Sequence, residues 1–175
     1  MKRLLATLLM LIMLIPALAT PALAAGPSLH SASGGGTAVF TAYGSEDSYR
    51  NTYTFTVQQM DEAGNAKGNF VWSAGHGVMP ARKFQADLKY VYFEGNTVYM
   101  SGTITQSLHF TDSYVGHDFI FGGRDNGEGS QAIGLDQISV IVSFYRPGHT
   151  AAALDSYWRS YLYWYDLTDG NVQIN

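Results

Sequence analysis

Four side chains between residues 125 and 136 carry the oxygen atoms that metal or acid–base chemistry uses. Asp125-Asn126-Gly127-Glu128-Gly129 is followed at short distance by Asp136. Calcium takes about six to eight oxygens from carboxylates, amides and backbone carbonyls, held in a tight glycine-bearing loop. Asp125, Asn126, Glu128 and Asp136 supply such atoms, so Ca2+ is the candidate cofactor. The stretch differs from the helix-flanked calcium loop, whose acids alternate and end in a bidentate glutamate. A second reading pairs Glu128 with Asp136 or Asp125 as acid and base on a glycosidic bond. That mechanism needs two carboxyls roughly 5 to 9 Å apart across a sugar-sized cleft. The simplest reading is a turn: Asp-Asn-Gly bends the backbone and Asp136 stands at the entry of the next strand. Turn acids beside glycine are usually solvated, which makes catalysis the weakest of the three.

A second group is aromatic. Tyr157, Trp158, Tyr161, Tyr163, Trp164 and Tyr165 fall within nine residues. Exposed Trp158, Tyr161 and Trp164 would stack on sugar rings or form a protein-binding patch, which makes a cell-surface glycan or protein the candidate partner. The plainer reading is a cover packed over one face or end of a sheet. The two differ in one respect: a binding platform needs at least two exposed, coplanar rings. The five histidines are scattered, and only His109-x-x-Asp112 with His117-Asp118 suggests a transition-metal set. That spacing matches no diagnostic pattern. No Gly-x-Ser-x-Gly elbow, His-Glu-x-x-His pair or phosphate-cradling glycine loop occurs.

The chain that must position these residues has 175 residues. It opens with Lys2-Arg3, the apolar run LLATLLMLIMLI and Ala22-Leu23-Ala24. A basic start, an apolar run and a small-residue site make a secretory signal peptide, expected over residues 1–25. The run of about 12 residues is short for a bilayer span, which takes about 20. No transmembrane segment is expected in the mature chain. The remaining 150 or so residues suit one domain with one core. Loss of Lys2 and Arg3 makes the net charge of −4 more negative. An acidic exported domain is a poor partner for nucleic acid or an anionic membrane surface. There is no cysteine, so thiol catalysis, zinc–cysteine sites and disulfide bracing are excluded. A plain signal peptide without cysteine suits a bacterial exported protein.

The pattern after residue 36 is strand and turn. Residues 26–36, GPSLHSASGGG, read as a flexible linker, with a single β domain over 37–175. Thr52 to Val57 alternates strictly, with Tyr53, Phe55 and Val57 on one face. Further strands are expected at 37–43, 68–72, 84–93, 97–105, 118–121, 137–145 and 170–174. Phe84, Ala86, Leu88, Tyr90 and Tyr92 form one row, and Glu94-Gly95-Asn96 makes a hairpin turn. Gly102 inside a strand suggests a bulge or close backbone approach. Residues 151–165 read as a short helix or irregular cover. The expectation is an all-β fold of about eight strands, an antiparallel sandwich or partly closed barrel.

Several short motifs recur in a characteristic order: Gly34-Gly-Gly36, Lys67-Gly-Asn-Phe70, Glu94-Gly-Asn96, Ser101-Gly102, Asp125-Asn-Gly-Glu-Gly129, Asp136 and Gly170-Asn-Val-Gln-Ile174. Over residues 34–174 the chain thereby resembles a family of exported bacterial β-rich domains without established activity. The aromatic 151–165 segment is heavier than that family leads one to expect. The resemblance implies secretion and a β fold and supplies no catalytic residue. The sequence as a whole reads as a secreted, monomeric β domain, a binding or structural module rather than an enzyme.

Overall fold

The computed structural model describes residues 29–41, 48–75, 82–108, 113–128, 132–144 and 148–175. The expected signal peptide lies outside them, as do His76, His109 and Asp112. The described residues form ten strands: β1 (Ser31–Thr41), β2 (Ser48–Gln59), β3 (Asn65–Gly75), β4 (Arg82–Glu94), β5 (Thr97–Leu108), β6 (Asp118–Arg124), β7 (Gln137–Ser139), β8 (Val142–Phe144), β9 (Trp164–Asp166) and β10 (Asp169–Ile174). They make one antiparallel sheet in the order β10-β1-β2-β3-β4-β5-β6-β7-β9, with β8 also paired to β6. The sheet curls into a partly closed barrel. Residues 164–174 draw its ends together. Leu167 N donates to the Asp136 carbonyl beside β7, and Thr168 N donates to the Thr37 carbonyl on β1. One bent segment thus serves both edges.

Alternation decides which side chains go inside. On β2, Tyr53, Phe55 and Val57 are buried while Thr52, Thr54 and Thr56 are exposed. Phe70, Phe84, Met100, Phe119 and Phe121 meet them in the barrel core. The expected row on β4 breaks after Leu88. Leu88 faces Gly102 and Tyr90 faces Ser101, so Lys89 has no partner across the ladder. This bulge reverses the parity. Val91 and Phe93 turn inward instead of Tyr90 and Tyr92. Gly102 is needed there, because a Cβ would run into the Asp87 carbonyl.

Three further expectations are corrected. Residues 31–36 are not linker; they form the first half of β1, paired on both edges with β2 and β10. The glycines serve close packing rather than flexibility. A Cβ on Gly36 would collide with the Asp169 carbonyl, and one on Gly34 would meet the Phe55 ring at 2.7 Å. The single strand expected over 137–145 is split into β7 and β8. Both pair with β6, and their registers differ by one residue around Val140 and Ile141. Gly122 N donates to Ser139 Oγ at 2.8 Å at this interruption. β9 arises from the aromatic segment, where no strand was expected.

A second, smaller core lies on the outer face of the sheet. Ile120, Phe144, Ala152 and Leu162 form it, with Trp158 and Tyr99 packed against it. The chain over it is a 3-10 turn (Ala152–Leu154) and a four-residue α-helix, α1 (Ser156–Arg159). Asp155 caps α1 by accepting from Tyr157 N. Ser101 Oγ donates to the Thr150 carbonyl at 2.7 Å and accepts from Ala153 N, tying this cover to β5.

The glycine contacts give a direct expectation. Gly102→Ala should lower stability by about 1–3 kcal/mol, the usual cost of forcing an extra carbon into packed structure. Gly75→Ala, which meets nothing within 4 Å, should leave it unchanged or slightly raised. Urea unfolding of the two variants measures the difference.

Candidate functional site

The acids of residues 125–136 meet backbone and amide donors. Asp136 Oδ1 accepts from Asn126 N at 2.8 Å and its Oδ2 from Val172 N at 2.6 Å. Asp125 Oδ1 accepts from Gly127 N at 2.9 Å and its Oδ2 from Ile174 N at 3.2 Å. Glu128 Oε1 accepts from Asn171 Nδ2 at 2.7 Å and Gln173 Nε2 at 3.3 Å. Asn126 bonds the Leu135 carbonyl and receives Asn96 Nδ2 at 3.1 Å. Gly127 sits at φ +85, which makes the turn a glycine turn. β10 pairs with β1 on one edge, and the N–H groups of Val172 and Ile174 on its other edge go to the two aspartates. The carboxylates thus stand where a neighbouring strand would stand.

This geometry suits a clasp better than a cation cage. Each aspartate oxygen faces an N–H hydrogen, whereas a cation needs lone pairs converging on one point. Among the described residues, no three His, Asp or Glu side chains are grouped to hold a metal. The same donors bear on the acid–base reading, since these oxygens face the protein's own amides. Asp118, beside His117, is likewise engaged: it accepts from Thr103 Oγ1, Gly148 N and His149 N. His149 lies against Phe144 at 4.5 Å.

The aromatic segment packs as a cover. Trp158 is half-buried, in T-shaped contact with Phe144 at 4.7 Å and His149 at 5.1 Å. Trp164 lies against Gly122, where a Cβ would come within 2.7 Å of its ring, and Arg124 sits 4.3 Å over its face. Arg159 spans the faces of Tyr92 and Tyr99 and donates to the Ala153 carbonyl. Tyr161 is 47% exposed and its hydroxyl bonds that of Tyr157. The Tyr157–Tyr161 planes cross at 67° and those of Trp158–Tyr161 at 44°. The coplanar pair that a sugar platform needs is absent from these contacts.

The structure brings together a third group that the sequence reading did not single out. At the barrel end away from the clasp, Phe40, Asn51, Tyr53, Trp72, Phe84, Tyr114, Val140, Ile141 and Ser143 line a cavity of about 270 Å³. Its walls are rings in edge and tilted contact. Trp72 and Phe84 stand 5.1 Å apart at 40°, and Phe40 meets Tyr53 edge-on at 6.3 Å. Tyr53 stacks on Phe121 beneath, at 5.6 Å and 12°. Burial pushes the Tyr53 phenol far above its ordinary value, so it stays neutral. Asn51 is 4% exposed; its Oδ1 accepts from Trp72 Nε1 at 2.9 Å and its Nδ2 donates to the Tyr49 carbonyl. Ser143 pairs with Phe119 across the ladder and shares its inward face. Its Oγ is buried with no hydrogen-bond partner. The sequence did carry a signal for this end. Asn51 has the parity of Tyr53, Phe55 and Val57, which puts a polar amide on the buried face. Two wider depressions, one over Thr56 and Lys67 and one beside His149 and Asp155, have more polar walls.

Asp136→Ala should cost about 2 kcal/mol or more, since it strands two N–H groups at about 1–3 kcal/mol each. EDTA and millimolar calcium should leave the melting temperature of the unaltered protein in place, whereas a calcium-dependent rise would restore the ion loop. Trp158→Ala should cost about 2 kcal/mol or more by opening the outer core, and Tyr161→Ala no more than about 0.5 kcal/mol. Thermal and urea unfolding check all four. Comparison of the chain with protein-family models, with curated proteins and with solved structures gives no match.

Proposed function

We propose that this protein is an exported, non-catalytic binding module whose ligand occupies the aromatic cavity at the barrel end away from the clasp. The cavity's residue set is the observation that carries this reading. It combines five aromatic side chains, two of them phenols, with an amide and a serine hydroxyl, the mixture of apolar wall and a few placed polar groups by which proteins hold small molecules. Among the described residues that line it there is no acid, base or histidine, which favours binding over turnover. Barrels of about eight strands have room at the mouth for one small ligand. Export rests on the basic, apolar and small-residue pattern of residues 2–24. The clasp and the cover account for the other two groups of conspicuous residues by structural roles, which leaves the cavity as the better site.

The three tryptophans give a built-in test. Trp72 lines the cavity, Trp158 belongs to the outer cover and Trp164 to β9. In a 15N-labelled sample each indole N–H gives one resonance. Titration with a fragment library should move the Trp72 signal saturably and leave those of Trp158 and Trp164 in place. Saturable movement of Trp158 alone would put recognition on the cover, and a silent Trp72 across the library would overturn the cavity as the site.

A further inference from the structure

Resting on the reading of the cavity as the binding site, the geometry points to the ligand's class: a neutral, flat molecule of one or two aromatic rings bearing one hydrogen-bonding group, which Ser143 Oγ meets. Three observations converge on this class. The first is size. About 270 Å³ lies just below the range of about 300–1,000 Å³ for pockets that take drug-sized ligands, so the occupant is smaller than those. The second is the wall. Phe40, Tyr53, Trp72, Phe84 and Tyr114 offer ring faces and edges, and aromatic pairs gain beyond plain area burial. A charged ligand would lose its hydration there with no opposite charge among the described lining residues to replace it.

The third observation is Ser143. Every other lining polar group discussed above has a role: Asn51 holds Trp72 and Tyr49, and the Tyr53 phenol interacts with Trp72. Ser143 Oγ alone among these is shut from solvent with no partner. Its ladder partner Phe119 points into the barrel, so Ser143 does too. A buried hydroxyl without a partner is destabilising, and native proteins rarely keep one without a reason. Rotation about one side-chain bond between staggered positions carries the hydroxyl toward a ligand atom. As donor and acceptor in one group, a serine hydroxyl takes either a phenol or an indole N–H.

The test uses p-cresol, indole, toluene, cyclohexanol and benzoate, read by the three indole resonances and by calorimetry at neutral pH. p-Cresol and indole should bind and move Trp72. Toluene, which keeps the ring and lacks the polar group, should bind up to about tenfold more weakly, the worth of one neutral hydrogen bond. Cyclohexanol should also be weaker than p-cresol, and benzoate should give no saturable shift. In Ser143→Ala, p-cresol should fall to the toluene level while toluene is unchanged. That variant removes an unpaired hydroxyl, so its ligand-free form should melt at or above the parent temperature. Equal binding of p-cresol and toluene, or p-cresol binding unmoved in Ser143→Ala, would overturn the role of Ser143. Tighter binding of benzoate or cyclohexanol at Trp72 would overturn the ligand class and leave the cavity as the site. A Trp72 signal silent to all five, with the fragment library also silent there, would overturn both.

Discussion

The edge of β10 is the constraint on which the rest of the molecule turns. A curled sheet that stops short of full closure leaves a strand with unpaired N–H groups, which attracts other chains and costs stability. Here two carboxylates take the place of the missing strand. Asp136 and Asp125 accept from Val172 and Ile174, two residues apart, which is the spacing of outward N–H groups along one strand edge. Charge-assisted bonds of this kind are about twice as strong as neutral ones. In a chain without disulfides they hold the C-terminal strand to the β6–β7 connection.

Closing the edge in this way dictates the glycines nearby. β1 runs between β2 and β10 with all three backbones in close approach. Gly34, Gly36 and Gly170 sit at positions where a side-chain carbon would strike a ring or a carbonyl. Gly170 also holds φ +101, a backbone form that favours glycine. The bulge beside Gly102 turns Val91 into the core and frees Tyr92 to stack under Arg159 on the outside. One irregularity therefore serves both cores: it completes the barrel filling and builds the outer surface on which the cover rests.

These features explain what the sequence made legible and what it did not. Period-two alternation at Thr52–Val57 and the Gly95-Asn96 turn are local, and both appear as expected. The antiparallel β class follows from such local signals. Gly34-Gly-Gly36 misled, because glycine reports freedom in an open chain and close packing in a sheet, and only the position of β10 decides between them. β10 lies far along the chain, so no local pattern carried that information. The row on β4 failed because a bulge is specified by the partner strand. The acids of residues 125–136 were conspicuous for a real reason, though their partners are N–H groups whose presence no residue type announces. The cavity was the least legible feature. It is assembled from β1, β2, β3, β4, Tyr114 and the 140–143 stretch, each of which contributes one to three unremarkable residues.

The two ends of the barrel then divide the labour. Clasp, hairpin turns and glycine contacts fix one end, where Asn96 bridges the β4–β5 turn to Asp125 and Asn126. At the other end the inward rings continue to Tyr53, Trp72 and Phe84, and among the described residues Asn51 and Ser143 stand beside them at positions that phenylalanine or leucine could have filled. A core built only for stability would place apolar side chains there, since buried polar groups add little and an unpaired one subtracts. Asn51 offsets this by fixing the Trp72 indole, which orients a ring that would otherwise rotate. A ring held in one orientation is preorganised, which for the proposed ligand would let a small contact area give affinity with only the Ser143 hydroxyl left to turn. The rigid end makes that possible, because strands anchored by the clasp keep the opposite rings at set distances.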